Sequence, residues 1–545
     1  MAKPILSADD AVALIRDGDT VAIDGSGGGL VEPDALIAAL SRRFERTGHP
    51  RGLTLLHPTG IGDRASRGTS MLAREGLCKR VIGGHWGQAP EMAKLASENK
   101  IEAYNFPQGV LNQLYREIGA GRPGVITHVG LGTFVDPRLE GGKLNSVTTE
   151  DLVEVVTLGG REWLFYRAFP IDVAFVRGTT ADEEGYISHE QEAAILGGMA
   201  CAQAAHNSGG IVLAQVKRLA VAGTLSAQSV RIPGPMVDAI VIHENQWQTY
   251  EAEDNPAFSG AVKVPLGRVK SLPFDVRKIV ARRAAMEIRP GDLMNLGVGM
   301  PDGVAAVAAE EGVSDLFTLT VEQGGYGGIP APGIIFGAVS NPLAMLDGPG
   351  QFDFYDGGGL DLTCLGMAQA DTHGNVNVSK YGSTIMGTGG FVDISQNAKS
   401  VVFCATFTAG GLGVEMKDRR LHIAREGKHK KFVTGVDQVT FSGDYARGKG
   451  QHVLYVTERA VFKLQPEGLV LIEIAPGVDL RRDVLDLMEF EPIVSRELCQ
   501  MEPCIFDPEP MGLKADLEAM CSAEVRPALA ERMAVEIEGV ESHAI

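Results

Sequence analysis

The chain has 545 residues, 44% apolar and 22% charged, with a net charge of −19 from 50 basic and 69 acidic side chains. That mix is globular rather than disordered, and a chain of this size buries a core without disulfide staples. The acidity argues against a nucleic-acid partner, since binding to phosphate backbones needs clustered Lys and Arg. Glycine is the outlier: 68 residues, about 12% against a usual ~7%, spread in short clusters between apolar runs. No apolar run reaches the ~18 residues of a membrane span, and Met1 to Leu6 lack the apolar stretch of a signal peptide. Seven scattered cysteines fit reduced thiols, and Cys499 and Cys504 have no second Cys/His pair to complete a zinc site. The expectation is a cytoplasmic protein with no resident metal and no membrane partner.

In chain order, Ser7 to Arg16 reads as a helix with Ser7 as N-cap. Ile15-Arg16-Asp17-Gly18-Asp19 follows, then a short strand Thr20–Ile23, the glycines Gly25 and Gly27 to Gly29, and Pro33-Asp34. The same series returns 273 residues later: a helix over about 275–288, Ile288-Arg289-Pro290-Gly291-Asp292, the strand Leu293–Leu296, Gly297, Gly299 and Pro301-Asp302. A second match holds a different offset, 189: Asp172, Ala181, Asp182 and Gly185 align with Asp361, Ala370, Asp371 and Gly374. Two ordered matches describe two related halves, residues 1–270 and 275–545, joined near 264–274. The difference in offset, 84 residues, predicts an insertion in the first half near residues 50–140. Runs apolar on both faces, such as 210–214 and 401–404, alternate with helical patterns. This is the signature of mainly parallel sheets covered by helices, an α/β fold.

Motifs exclude several chemistries. Gly297-Val298-Gly299 and Gly25-Ser26-Gly27 fail a dinucleotide fingerprint at the third glycine. There is no G-x-S-x-G and no Walker A sequence, and His189-Glu190 lacks the second histidine of a zinc protease. Lys428-His429-Lys430-Lys431 reads as a solvated turn, with a phosphate contact as the sharper alternative. The most informative stretch is Phe317 to Gly328. Phe317, Leu319 and Val321 alternate as in a strand, which delivers Glu322 at its C-terminal end before Gly324, Gly325, Gly327 and Gly328. Ligands collect at the carboxyl ends of strands in open α/β sheets. On spacing alone, a surface glutamate before a loop is the better reading. As chemistry, a carboxylate is a nucleophile that needs no histidine base.

These segments together resemble the family I CoA-transferases, closest to the single-chain acetate/propionate enzymes, over about residues 5–510. Glu322-Gln323-Gly324 matches the family's Glu-x-Gly, and Asn295 to Pro301 its Asn-Leu-Gly-x-Gly-x-Pro. Gly358 to Gly366 and Gly389 to Gln396 match two further motifs, as do Pro107-Gln108-Gly109 and Arg122-Pro123-Gly124. Relatives specialised for 3-oxoacids carry Ser before the glutamate and His at the third glycine of the Gly-Gly-His motif; here stand Val321 and Gly359. The resemblance implies two homologous open-sheet α/β halves of the CoA-transferase type. It implies a ping-pong transfer of CoA from a short-chain acyl-CoA to a carboxylate, through a thioester on Glu322. It further implies Gln108, Asn295, Gly358 and Gly359 as oxyanion or substrate contacts, and Gly27, Gly28, Gly297, Gly299 and Gly324 as contacts to CoA. CoA would be substrate and covalent intermediate rather than a resident cofactor, and the protein a homo-oligomer, with a tetramer favoured. The alternatives are an acyl-CoA hydrolase on the same scaffold and a non-catalytic acyl-CoA-binding module.

Overall fold

The computed structural model describes residues 2–265 and 271–520. The first large sheet contains β1 (Ile5–Leu6), β2 (Thr20–Ile23), β3 (Leu53–His57), β4 (Cys78–Gly83), β5 (Glu102–Asn105), β6 (Val173–Asp182), β7 (Ile211–Ala220) and β8 (Ala239–Ile242). They run in the order β1-β8-β7-β6-β2-β3-β4-β5, and every neighbouring pair is parallel. The second sheet holds β9 (Leu293–Leu296), β10 (Thr318–Thr320), β11 (Leu362–Gly366), β12 (Ser400–Cys404) and β13 (His452–Val456). These five are parallel in the order β10-β9-β11-β12-β13, and antiparallel strands extend the sheet at both edges.

The strand order β3-β2-β6-β7-β8 in one sheet is thus repeated as β10-β9-β11-β12-β13 in the other. The repeat reaches the register: Val21 lies opposite Val173, and Met294 opposite Leu362. It also reaches individual hydrogen bonds. Asp172 Oδ2 accepts from Thr20 N–H at 2.8 Å, and Asp361 Oδ2 from Leu293 N–H at 2.9 Å. Asp19 and Asp292 each accept from the arginine N–H three residues back, and Asp182 and Asp371 each close the turn that follows. An aspartate in such a turn satisfies N–H groups that would otherwise be orphaned at a strand end. The additional length of the first half falls after β3. It carries β4, β5 and a three-stranded antiparallel sheet of Gly124–Thr127, Val153–Leu158 and Arg161–Arg167, so it runs past residue 140.

Both faces of each sheet are covered, which is why the strands are apolar on both sides. In the first sheet Val21, Ile23, Val173, Phe175 and Leu213 pack on one face, and Ala22, Ala174, Val212 and Ala214 on the other. Helix α1 (Ala8–Ala13) starts at Ser7, whose side chain accepts from Asp10 N–H. The helices that bear on the site are α2 (Gln108–Gly119), α4 (Gly348–Asp356) and α5 (Phe391–Asn397), while α3 (Val276–Ala285) starts the second half with Asp275 as N-cap. The junction expected at 264–274 lies partly outside the described residues; a helical pattern in the sequence over about 516–538 also does, and its described part, 516–520, belongs to a helix that begins at 513. Lys428 to Lys431 is not a plain turn: His429–Lys430 forms a short strand with Thr408–Ala409, and Lys430 Nζ donates to the carbonyls of Asp486 and Met488. No helix of the described residues is long and apolar enough to cross a membrane.

Candidate functional site

The site is built where β10 ends. Thr320 Oγ1 donates to Met294 O at 3.0 Å and lies 2.8 Å from the hydroxyl of Tyr355 on α4. Gln351, also on α4, donates to Val321 O at 3.2 Å. The strand end is therefore held from two sides. A tight turn follows, with Gly324 N–H donating to Val321 O and Val321 N–H to Gly325 O. Gly324 has φ +98°, and a Cβ there would stand 2.1 Å from Leu346 O. Only glycine fits this turn, and the turn is what points Glu322 off the end of the sheet.

Glu322 is half-buried. Its Oε2 accepts from the backbone N–H of Gly390 at 3.2 Å, and its Oε1 from Gln323 Nε2 at 3.3 Å. Burial pushes its pKa above the ordinary glutamate value, opposed by those two hydrogen bonds, first Gln323 and then Gly390. A Cβ on Gly390 would fall 2.3 Å from Oε2, so the carboxylate reaches this N–H only because residue 390 has no side chain.

Gly390 is placed by the first half of the chain. Gly389 N–H donates to Gly84 O at 2.8 Å, Gln108 N–H to Gly389 O at 2.9 Å, and Trp86 N–H to Met386 O at 2.8 Å. Asn105 Oδ1 accepts from Thr388 N–H at 3.0 Å. The segment Met386–Gly390 is thus laced to the loops after β4 and β5. From the other side, Gln323 Nε2 reaches Ser26 Oγ at 3.4 Å, in the glycine cluster of the first half.

Two chambers meet at Glu322. One, about 330 Å³, is the more polar, with Ser26, Thr59, Arg64, His85, Gln88, Gln108 and Gln323 among its walls. The other, about 240 Å³, is mostly apolar, with Leu296, Phe336, Leu365, Val378, Met386 and Ile394. Burial, with the charge of Arg64 and His57 adding to it, lowers His85 to about 4, so its imidazole is neutral at neutral pH. Below the site, Asp393 on α5 is fully buried and neither carboxyl oxygen has a hydrogen-bond partner. Burial pushes its pKa well up, with Asp356 and Glu322 adding to the effect.

The residues expected from the sequence divide into two groups. Glu322 faces both chambers, Gln108 and Gly27 line the polar one, and Asn295 and Gly297 the apolar one. Asn295 also spends its amide on Thr320 O and Tyr355 Oη, each at 3.3 Å, which makes it a support of the strand end. Gly358 and Gly359 are corrected as oxyanion donors: their N–H groups bond the carbonyls of Tyr355 and Phe354 and terminate α4. Gly324 and Gly28, expected as CoA contacts, line neither chamber. Both are turn glycines at positive φ packed against backbone carbonyls, Leu346 O and Ile334 O. Gly299 is exposed, donates to Asp302 Oδ2 and lines neither chamber. Gly390, His85, Gln88 and Arg64 escaped the sequence reading. Gly389-Gly390 had a signal in its motif, whereas the other three reach Glu322 only through the tertiary lacing.

Residues 5–243 match the family model described as Coenzyme A transferase. Over 510 residues the chain is 50% identical to the acetate CoA-transferase YdiF of Escherichia coli (strain K12), covering 93% of this chain and 96% of that one. It is 48% identical to the caffeate CoA-transferase of Acetobacterium woodii over 522 residues, 94% of this chain and 99% of that one. The crystal structure of the acyl-CoA transferase YdiF apoenzyme from Escherichia coli O157:H7 superposes with a TM-score of 0.90 at 49% identity, covering 94% of this chain and 97% of that one. A crystal structure of the same protein as a thioester complex with CoA superposes with a TM-score of 0.89.

Proposed function

The chain belongs to the coenzyme A transferase family and is an acyl-CoA:carboxylate CoA-transferase, and from that premise we propose that Glu322 is its nucleophile and short-chain acids such as acetate and propionate its substrates. The observation that carries the proposal is the placement of the Glu322 carboxylate against the Gly390 N–H, at the meeting of a polar and an apolar chamber.

The chemistry proceeds in balanced steps. A Glu322 oxygen attacks the thioester carbonyl of acyl-CoA; the new C–O bond replaces the C–S bond, and CoA leaves as thiolate. The mixed anhydride is attacked at the glutamyl carbonyl by that thiolate. This forms glutamyl-CoA and releases the first acid, which carries away one former Glu322 oxygen. An incoming carboxylate then repeats the two steps in reverse. No proton and no ATP is consumed, because anhydride and thioester both keep the carboxyl group activated.

Each attack places negative charge on a tetrahedral oxygen. A preorganised N–H such as that of Gly390 is available at the glutamyl carbonyl, and one such donor is worth about 3–4 kcal/mol in other enzymes. Half-burial of Glu322 limits the access of water, the competing nucleophile for both activated intermediates. The same reading takes residues 1–270 and 275–545 as the two functional halves, and extends to a cytoplasmic homotetramer. Incubation with acetyl-CoA followed by borohydride and peptide mass spectrometry tests the proposal: the peptide containing Glu322 gains the label, and label on any other residue refutes the assignment.

A further inference from the structure

Among the described residues, Arg64 is the only lysine or arginine lining either chamber at Glu322. It is exposed, and its side chain makes no hydrogen bond or ion pair with any described residue. Its backbone sits at φ +63°, a conformation that L side chains rarely adopt. The loop enforces it. Arg64 N–H donates to Gln88 O at 2.9 Å, Asp63 Oδ1 accepts from the N–H groups of Ala65 and Arg67, and Gly68 packs directly on the Ile61–Gly62 backbone. Residues held in such a conformation concentrate at ligand sites.

The chemistry of the chamber says what the cation is for. Apart from Glu322 itself, which is uncharged once it carries CoA, the polar walls are neutral: Ser26, Thr59, Gln88, Gln108, Gln323 and an unprotonated His85. The whole chain carries −19, which disfavours the approach of small anions. One substrate of the proposed reaction is a free carboxylate that must come within bonding distance of the glutamyl carbonyl. A guanidinium can hold one oxygen of that carboxylate and leave the other to attack.

We propose that Arg64 is the residue that binds the free carboxylic acid substrate, at the exposed side of the polar chamber that Glu322 also lines. This rests on Glu322 being the nucleophile. The incoming acid enters from the Arg64 side and is handed to the glutamyl-CoA carbonyl. In the reverse direction the released acid leaves by the same guanidinium. The acids favoured are small monocarboxylates whose tails fit beside Gln88 and Gln108.

The two half-reactions separate the proposal from its premise. Enzyme is loaded with CoA from acetyl-CoA, freed of acetate, and discharged with increasing acetate, and formation of acetyl-CoA is followed. R64G and R64N remove the cation while suiting a backbone at φ +63°, so folding is not the variable; R64K retains the charge. The expected result is that R64G and R64N load at the wild-type acetyl-CoA concentration yet need roughly ten- to a hundredfold more acetate for half-maximal discharge. R64K recovers part of the loss, and added salt raises the acetate requirement of the wild type but not of R64G. An unchanged acetate requirement in R64G overturns the proposal. So does a raised acetyl-CoA requirement with normal acetate dependence, which would assign the cation to the CoA phosphates. Failure of the wild type to load at all would refute the Glu322 reading instead.

Discussion

The backbone N–H of Gly390 donates to Glu322 Oε2 at 3.2 Å across 68 residues of sequence, and the approach is open only because Gly390 lacks a Cβ. A carboxylate that must be both nucleophile and, later, an acyl carbonyl needs a donor that stays fixed while its charge moves. A main-chain N–H held by neighbouring strands and loops does this without reorganising.

Removal of the carboxylate therefore ends the reaction. Glu322→Ala is expected to leave no measurable CoA transfer. Glu322→Asp is expected to lose at least about a hundredfold in kcat, because one methylene moves the attacking oxygen by more than ~1 Å. Steady-state exchange between acetyl-CoA and labelled acetate measures both; turnover by the alanine variant near the wild-type rate would disprove the role of Glu322.

Gly390→Ala places a methyl group on the Glu322 carboxylate, with an initial Cβ–oxygen distance of 2.3 Å. The carboxylate must move, so a loss of about a hundredfold in kcat is expected with little change in melting temperature. Paired kinetics and circular-dichroism melting separate this from unfolding: a variant that melts early and keeps its specific activity contradicts the geometry.

The Gln323 amide stabilises the charged form of Glu322, while burial opposes it. The acid limb of kcat/KM is expected above the ordinary glutamate range. Gln323→Ala is expected to move it further up, with a roughly two- to tenfold lower kcat/KM on the acid side and convergence at high pH. A limb that stays in place, or moves down, assigns it to another group.

Gly324→Ala tests the turn rather than the chemistry. With φ +98° and Leu346 O in the way, an alanine is expected to cost at least ~2 kcal/mol and to lower the melting temperature. Denaturant titration monitored by fluorescence reads the loss, and a midpoint equal to the wild type excludes the strain.

Asp24 offers a pH signature of stability. It is buried, accepts one N–H from Gly197 at 3.0 Å, leaves Oδ2 unpaired, and burial raises its pKa from 3.8 to about 7. The folded state therefore binds this proton more tightly than the unfolded state. Its contribution is complete below about pH 4 and is lost as pH climbs to about 7. Glu32, raised to about 8, acts in the same direction. Asp24→Asn is expected to flatten the fall in melting temperature between pH 5 and 8.5; equal slopes in the two proteins would exclude Asp24 as its source.

How far the sequence carries can be read residue by residue. Asp19, Asp172 and Asp182 announce the repeat because each closes a turn at a strand end by hydrogen bonds local to that turn or to the adjoining strand, and the same bonds recur at Asp292, Asp361 and Asp371. Glu322 was legible for a similar reason: strand, carboxylate and glycine turn are contiguous. Gly358 and Gly359 misled because a glycine pair that ends a helix looks, in one dimension, like one that exposes N–H groups to a ligand. His85, Gln88 and Arg64 were illegible because they reach Glu322 by way of the Gly84–Gly389 and Trp86–Met386 hydrogen bonds, which join residues some 300 positions apart.

That lacing means neither half owns the active centre. Glu322 and Gly390 belong to the second half, yet Gly390 keeps its place only while Gly84, Trp86, Asn105 and Gln108 of the first half hold the segment it ends. Damage confined to the first half would silence a nucleophile carried by the second. The arrangement acts as an inspection step: a chain earns a working carboxylate only after it has folded from end to end.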